Sequence, residues 1–487
     1  MNPSRKKIFV LWICPFLFVF SGHLLAFQAY THTALTDKVD ALFRAWDKEN
    51  SPGAALGIFQ DGRIIYARGY GMANLDYNIP ITPQTVFRVG SVSKQFTAMC
   101  IALLVEQGKM ALDDDIRKYL PEMPGFDPPV TIQHMVHHTS GVRDYLILQG
   151  LAGRSGGYYY TSPEVVDLLS RQKSLNFKPG NQFSYSNSGY FLLAQIVGRV
   201  SGMPTRDFAK KYIFDALGMK DTHFHDDPKM IVKNRAMGYL PREEGGFKIH
   251  VTQLDMIGDG GIFTTIEDFF RWDQNFYDNR LGTGSRGLID RILSLENLND
   301  GQENDYAFGL VVSRYRGLRM VSHGGSFVGY KAHYLQFPDQ RFSVVILSNL
   351  GTFNPGKIAV EIADIFLGEQ FTEPQRAVKE PLPAKEPAFI KLASQDMRKF
   401  LGEYHSAELD ATAIVGLGKE GLILKLGRHA SPLRPISPQS FLSTYENDDS
   451  YELGTRKIEF VLTEGKKAVG FVMSAEDIQG LKFDRIE

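Results

Sequence analysis

The chain has 487 residues, 43% of them hydrophobic and 22% charged, with 54 Lys and Arg against 55 Asp and Glu. That is the balance of a globular protein with apolar content for a sizeable core, spread over two or three domains by length. A formal net charge of −1 carries no basic excess, which excludes a chain built to grip nucleic acid or an anionic membrane surface by charge.

The first 26 residues stand apart. Arg5, Lys6 and Lys7 precede the apolar run "IFVLWICPFLFVF" and the small-residue stretch "SGHLLA". This reads as a cleaved secretory signal, with an uncleaved membrane anchor in residues 8–26 as the alternative. The run is short for a span and Pro15 interrupts it. Of the two cysteines, Cys14 lies in this leader, so Cys100 has no internal disulfide partner and is expected to pack inside a helix.

A helix is expected over 35–50. "GAALGIFQDGRIIYARGYG" then sets two apolar runs around Asp61-Gly62, a hairpin signal. From Ser91 the apolar residues Phe96, Met99, Leu103 and Leu104 recur at helical spacing, and Gly108 is a stop. Helices are expected at 162–172, 191–202 and 264–276. Strands return in "KAHYLQF" and "RFSVVILSN" around Pro338-Asp339-Gln340, followed by a helix at 354–368. The predicted fold of residues 35–368 is α+β: early and late strands pair in one antiparallel sheet flanked by helices. Residues 371–389, with four prolines and mixed charges, have linker composition. Residues 397–487 read as a small all-β barrel or sandwich, because Leu422, Leu424 and Leu426, then Ile458, Phe460 and Leu462, then Val469, Phe471 and Met473 occupy alternate positions.

The chemistry centres on "FRVGSVSKQFTAMC", where Ser91 stands three residues before Lys94. Residues three apart on a helix share a face, and a helix start offers free N–H groups to a developing oxyanion. A serine hydroxyl needs a base, and a lysine serves as one only where its pKa is lowered. The same spacing at Ser4/Lys7 and Ser170/Lys173 makes the pair alone weak. Two further stretches add to it. "FSYSNSGY" places Tyr185 and Asn187 just before a helix, although Tyr277/Asn279 and Tyr445/Asn447 repeat the spacing. "VSHGGSFVGY" places His323, Gly324, Gly325 and Ser326 on a strand near a sheet edge. Glycines there let a substrate backbone come close.

In this order, Ser91–Lys94, Tyr185–Asn187 and His323–Gly325 resemble the three motifs of the penicillin-recognising serine hydrolases. The resemblance is to the broad class C β-lactamase-related family, which includes D-aminopeptidases, D-alanyl-D-alanine carboxypeptidases and esterases. "TIQHMVHHTSGV", "FDALGMKDTHF", "GDGGIFTTIEDFFRW" and "YAFGL" look like the same family's text. The resemblance covers about residues 35–368 and implies a sheet flanked by helices with an all-helical subdomain. It implies that Ser91 is acylated, that Lys94 and Tyr185 share acid/base work and that Asn187 holds the substrate amide. The N–H groups of Ser91 and Ser326 would form the oxyanion hole, and His323 would orient or charge-stabilise the substrate. It implies no cofactor and no metal. Histidine at 323, where penicillin-binding proteins and class C β-lactamases carry lysine, favours peptidase or esterase chemistry over β-lactam turnover.

The expected enzyme is thus an exported serine hydrolase, periplasmic or secreted, acting on a D-amino-acid peptide, an ester or a β-lactam. A non-catalytic cell-wall-associated binding protein of the same fold is the competing reading. The C-terminal β unit resembles the lipocalin-like extensions of some relatives. His134, His137 and His138, with His223 and His225, have metal-ligand spacing, but no Glu completes a HExxH signature.

Overall fold

The computed structural model describes residues 34–154, 159–374, 388–427, 429–445, 453–463, 467–475 and 478–486. The expected leader (1–26) and the centre of the expected linker lie outside the described residues.

Asp61 and Gly62 both take positive φ, 50° and 76°, as a two-residue hairpin requires, and they join β1 (Ala54–Gln60) to β2 (Arg63–Tyr70). The late strands are β3 (Val311–Tyr315), β4 (Leu318–Phe327), β5 (Tyr330–Phe337) and β6 (Phe342–Ser348). They form one six-stranded sheet in the order β3-β4-β5-β6-β1-β2, antiparallel throughout. The early hairpin therefore pairs with the late one, as the sequence predicts.

Both faces of the sheet are covered, so β1 and β6 are apolar along most of their length. Ala54, Leu56 and Ile58 pack with Val344 and Ile346 against α1 (Ala34–Phe43) and the helix Pro355–Leu367. Ala55, Phe59, Val345 and Leu347 face the helical side. There the helix Ile266–Asn275 comes so close that a Cβ on Gly57 would meet Ile266 Cγ2 at 2.5 Å. Asp273 fastens this helix to the sheet, accepting from Tyr334, Gln336 and Ser343 at 2.9, 3.1 and 2.6 Å. The helix expected over 35–50 ends at Phe43. Trp46 N–H turns back to the Phe43 carbonyl, and the Trp46 ring packs edge-on to Phe353.

Helices fill the middle of the chain, including α2 (Lys94–Glu106), α3 (Ile132–Val136), α4 (Tyr145–Leu151), α5 (Ser162–Ser170) and α6 (Asn187–Ser201). α6 ends where Gly202 adopts φ 69°, the left-handed cap that glycine takes without a steric penalty. Cys100 is buried in α2.

The C-terminal region is a nine-stranded antiparallel sheet rolled into a nearly closed barrel. Leu422, Leu424 and Leu426 face inward as expected. Val469 does not: the pairing shifts between Val461 and Leu462, so Ala468 is buried while Val469 is exposed, and Phe471 resumes the inner face. Phe400, Tyr404, Phe441, Phe460, Phe471 and Phe483 are buried in mutual contact, so aromatic side chains occupy the barrel core.

The barrel docks on the helical subdomain at α4. Arg143, buried, donates to Glu408 (2.7 Å), Gln172 (3.0 Å), Ser174 (2.9 Å) and the Gln479 carbonyl (2.7 Å). At the other end of α4 a Cβ on Gly153 would meet the Leu426 carbonyl at 2.6 Å.

Candidate active site

Gly90 turns the chain with φ 51°, and residues Gly90–Ser93 form a 3₁₀ turn ahead of α2. Ser91 therefore sits in that tight turn and not in the first α-helical turn, which begins at Lys94. The Lys94 N–H closes onto the Ser91 carbonyl. The three-residue spacing still brings the side chains together: Lys94 Nζ lies 3.2 Å from Ser91 Oγ. Ser91 is half-buried, whereas Lys94 is fully buried.

Two oxygens hold the other side of the amine. Asn187 Oδ1 lies at 2.8 Å and the Asp259 carbonyl at 2.7 Å. These three contacts suit both states of the lysine. As an ammonium it donates all three hydrogens; as a free amine it gives two to the carbonyl oxygens and turns its lone pair to the Ser91 hydroxyl. Burial lowers the Lys94 pKa to about 8, opposed by the charges of Asp259 and Asp144.

Asn187 is the first residue of α6, and its N–H is held by Asp144 Oδ2 at 2.6 Å. Asp144 also caps α4, accepting from the N–H groups of Leu146 and Ile147. Tyr185 stands just before α6 with Lys94 Nζ 4.6 Å above its ring. Its hydroxyl is buried without a hydrogen-bond partner of good geometry. Burial raises its pKa; the proximity of Ser91 works against that, and the charges of Asp259 and Asp144 add to it. The phenol therefore stays protonated at neutral pH.

The strand β4 runs alongside the serine turn. A Cβ on Gly325 would collide with the Val89 carbonyl oxygen, and a Cβ on Gly90 would meet Ser326 N at 2.7 Å. Gly325 thus lets the strand approach the turn, bringing the Ser326 N–H against Gly90, the residue before Ser91, while Gly324 is exposed. The closeness expected of these glycines is, at Gly325, an approach to the protein's own backbone. His323 is buried, with Nδ1 2.6 Å from the Gly324 carbonyl and Nε2 2.9 Å from Tyr306 Oη. A carbonyl only accepts, so Nδ1 carries the hydrogen and Tyr306 donates to Nε2. Burial, and then the Lys94 charge, lowers the His323 pKa to about 3, so the ring is neutral and has no charge to offer a substrate.

The other histidines have separate structural contacts. His134 closes the capping box of α3. His137 Nδ1 pairs with the Tyr306 carbonyl at 2.8 Å. His138 Nδ1 accepts from the Ser186 N–H at 3.0 Å, and its ring packs on Tyr185. His223 and His225 pack against Phe263. Among the described residues no three His, Cys, Asp or Glu side chains converge on a common metal position.

Sequence reasoning misses Asp144, Asp259, Tyr306 and Lys331, whose Nζ donates to Ser326 Oγ at 2.7 Å. Asp144, standing before an apolar helix, carries an N-cap signal. Asp259 and Tyr306 lie in the stretches "GDGGIFTTIEDFFRW" and "YAFGL", which the resemblance marks without giving either residue a role, and Lys331 carries no local signal.

The profile of the beta-lactamase family matches residues 39–365. The chain is 28% identical over 331 residues to a D-aminopeptidase of Gluconobacter oxydans, covering 68% of this chain and 61% of that protein. It is 28% identical over 330 residues to a D-aminopeptidase of Brucella canis, covering 68% and 62%. The match thus spans about three-fifths of the length of these relatives. Among solved structures, the octameric penicillin-binding protein homologue from Pyrococcus abyssi superposes with a TM-score of 0.61 at 24% identity, covering 92% of this chain and 99% of that one. A D-amino acid amidase from Ochrobactrum anthropi SV3 superposes with a TM-score of 0.57 at 20% identity, covering 69% and 98%.

Proposed function

The chain belongs to the beta-lactamase family, and from that premise we propose that it is a serine hydrolase that cleaves an amide or ester through an acyl-Ser91 intermediate. The observation that carries the reading is the position of Lys94 Nζ, between Ser91 Oγ, Asn187 Oδ1 and the Asp259 carbonyl, in a site dry enough to make the amine a base near neutral pH.

In this reading Lys94 takes the Ser91 proton as Oγ attacks the substrate carbonyl. Negative charge develops on the carbonyl oxygen and is met by the N–H groups of Ser91 and Ser326. Tyr185, kept protonated by burial, passes its proton to the leaving amine or alkoxide and takes one back from the Lys94 ammonium. Asn187 holds the substrate amide. Water then attacks the ester, with the same groups running the proton in reverse, and Ser91 is released. The D-aminopeptidase relatives and the D-amino acid amidase neighbour support D-amino-acid amides, peptides or esters as substrates. A neutral His323 supports these over a β-lactam, whose carboxylate would want a cation at that position. The basic and apolar pattern of residues 1–26 supports export.

A fluorophosphonate or penicillin-type probe is expected to label the wild type at Ser91 and to leave Ser91→Ala unlabelled. That substitution is expected to cost at least ~10³ in turnover of a D-amino-acid anilide. Equal turnover by the two proteins would overturn the reading.

A further inference from the structure

A polar cavity lies outside the acyl-transfer centre, where the barrel meets the helical subdomain. Its volume is about 130 Å³, and Gln149 of α4, Arg154, Tyr160, Glu164 and Arg171 line it together with Asp410 of the barrel. Gln149 and Tyr160 are buried at its floor, whereas Glu164 and Asp410 are exposed at its rim, so the space opens to solvent. Benzene fills an apolar cavity of about 150 Å³, so this one has room for a ligand of about five or six heavy atoms.

Gln149 is only 2% exposed, and its amide is poorly met at both ends. Nε2 is buried without a hydrogen-bond partner, and Oε1 accepts from Arg154 Nη1 at a long 3.5 Å. Arginine only donates, so the atom facing it is the oxygen and the one left over is the NH2 donor. Arg171 adds a second donor: its Nη1 pairs with Asp167, but its Nε–H is buried and unmet. Native proteins meet nearly all such buried donors. What this floor lacks is acceptor oxygen.

The charges narrow the choice of acceptor. Arg154 donates to the Asp410 carbonyl at 3.0 Å and to Gln149, and is in no ion pair among the described residues. Glu164 gives Oε2 to the N–H and hydroxyl of Thr161 and leaves Oε1 unused. The exposed Asp410 carboxylate is in no ion pair among the described residues. With Asp167, the wall sets three carboxylates against two guanidiniums. A simple anion would meet the floor donors but add to the excess negative charge. A simple ammonium would meet the rim and leave the floor bare. A molecule with a carboxylate at one end and an ammonium at the other meets both.

We propose that this cavity binds a free amino acid as its zwitterion, at a site separate from the Ser91 centre. The carboxylate takes the Gln149 Nε2–H, the Arg171 Nε–H and the Arg154 guanidinium, and the ammonium takes Glu164 Oε1 and the Asp410 carboxylate. Occupancy bears on the centre through α4. Gln149 and Tyr145 stand four residues apart on one face of that helix. Tyr145 donates to Asp259 Oδ2 at 2.9 Å, and the Asp259 carbonyl holds Lys94. Tyr160, also in the cavity wall, meets the Tyr145 ring edge-on with centroids 6.4 Å apart. An occupant that fixes Gln149 and Tyr160 therefore restrains the turn that positions Asp259.

The test is isothermal titration of the full chain with glycine, D-alanine and L-alanine, and with acetate and methylammonium as half-ligands, in wild type, Gln149→Leu and Asp410→Asn. Glycine or alanine is expected to bind wild type with a Kd on the order of 1 mM, as suits so small a ligand. Each half-ligand is expected to bind at least about tenfold more weakly. Gln149→Leu replaces an unmet amide by an apolar group, so it is expected to melt no lower than wild type and to weaken amino-acid binding by about tenfold. Asp410→Asn removes a rim charge, and a loss of about threefold is expected. No saturable binding at millimolar concentrations, binding unchanged in both variants, or acetate binding as tightly as alanine would overturn the assignment. Bound alanine is expected to change the rate of fluorophosphonate labelling at Ser91 by about twofold or more in wild type and to leave it unchanged in Gln149→Leu. An equal effect in both proteins, or none in wild type, would overturn the coupling. If Ser91 is labelled in none of them, it is the acyl-serine reading that fails, and the titrations decide the amino-acid site by themselves.

Discussion

Lys94 makes a prediction that can be followed in both rate and stability. The side chain is fully buried, and desolvation brings its pKa from 10.5 to about 8. Below pH 8 the lysine is protonated in the folded and the unfolded chain alike, so folding includes the cost of burying an ammonium. Between about 8 and 10.5 the unfolded chain holds a proton that the folded chain has released. Stability therefore rises with pH across that window and levels off above it. The full gain is roughly 3 kcal/mol at ~1.4 kcal/mol per pH unit. The practicable interval from about pH 8 to 9.5 should show roughly 2 kcal/mol of it. The control is Lys94→Met, which fills much of the same volume and cannot titrate. Urea unfolding of both proteins across this interval is expected to give a difference, wild type minus variant, that climbs with pH by about that amount. The rate of acylation is expected to rise with pH and level off above about 8, because the free amine is the form that accepts the Ser91 proton. Parallel stability curves for the two proteins, or an acylation limb near 10.5, would refute the reasoning that burial makes this lysine a base.

Two further perturbations test how the centre is held. Glu408→Gln leaves the Arg143 guanidinium buried without its counter-charge, at a cost of about 3–5 kcal/mol; a melting temperature lower by roughly 3–5 °C is expected by calorimetry, and an unchanged melt would remove the ion pair from the docking of the barrel. Gly325→Ala puts a methyl into the Val89 carbonyl and pushes β4 off the serine turn; acylation is expected to slow by about 10²–10³, the loss of one oxyanion donor, with probe-labelling kinetics as the readout and wild-type rates as the contrary result.

The parts of this fold that were legible in the sequence are those set by local chemistry. Asp61-Gly62 could only be a tight turn, and the alternation in 422–426 could only be a strand with one buried face. The three motif pairs were legible because each is a short spacing on one element: Ser91 with Lys94, Tyr185 with Asn187, His323 with Gly325. What joins the pairs was not legible. The contacts of Lys94 with Asn187 and Asp259 span 93 and 165 residues, and that of Tyr145 with Asp259 spans 114, so they exist only after the helices pack. His134, His137 and His138 are close in sequence, but their ring nitrogens have different partners, the Thr131 side chain, the Tyr306 carbonyl and the Ser186 N–H, which the spacing does not reveal. The inward face of the strand Ala468–Ala475 slipped at a bulge against the strand before it, which period-two reading does not detect.

Arg143, Asp144 and Tyr145 are consecutive, yet each serves a different part of the molecule. Arg143 reaches the barrel through Glu408 and the Gln479 carbonyl. Asp144 holds the N–H of Asn187, and so the amide that holds Lys94. Tyr145 holds the Asp259 carboxylate. Ser188 ties the three together, donating to the Arg143 carbonyl at 2.7 Å and accepting from the Tyr145 N–H at 2.7 Å. A displacement of Arg143 cannot be absorbed by loop slack, because the residues on either side of it in this chain of contacts are buried and bonded. The barrel and the acyl-transfer centre therefore share one three-residue anchor. The Glu408→Gln substitution, made wholly in the barrel, should accordingly lower the rate of Ser91 labelling along with the melting temperature, and the two effects should be relieved together when Arg143→Met and Glu408→Leu are combined to give an apolar contact.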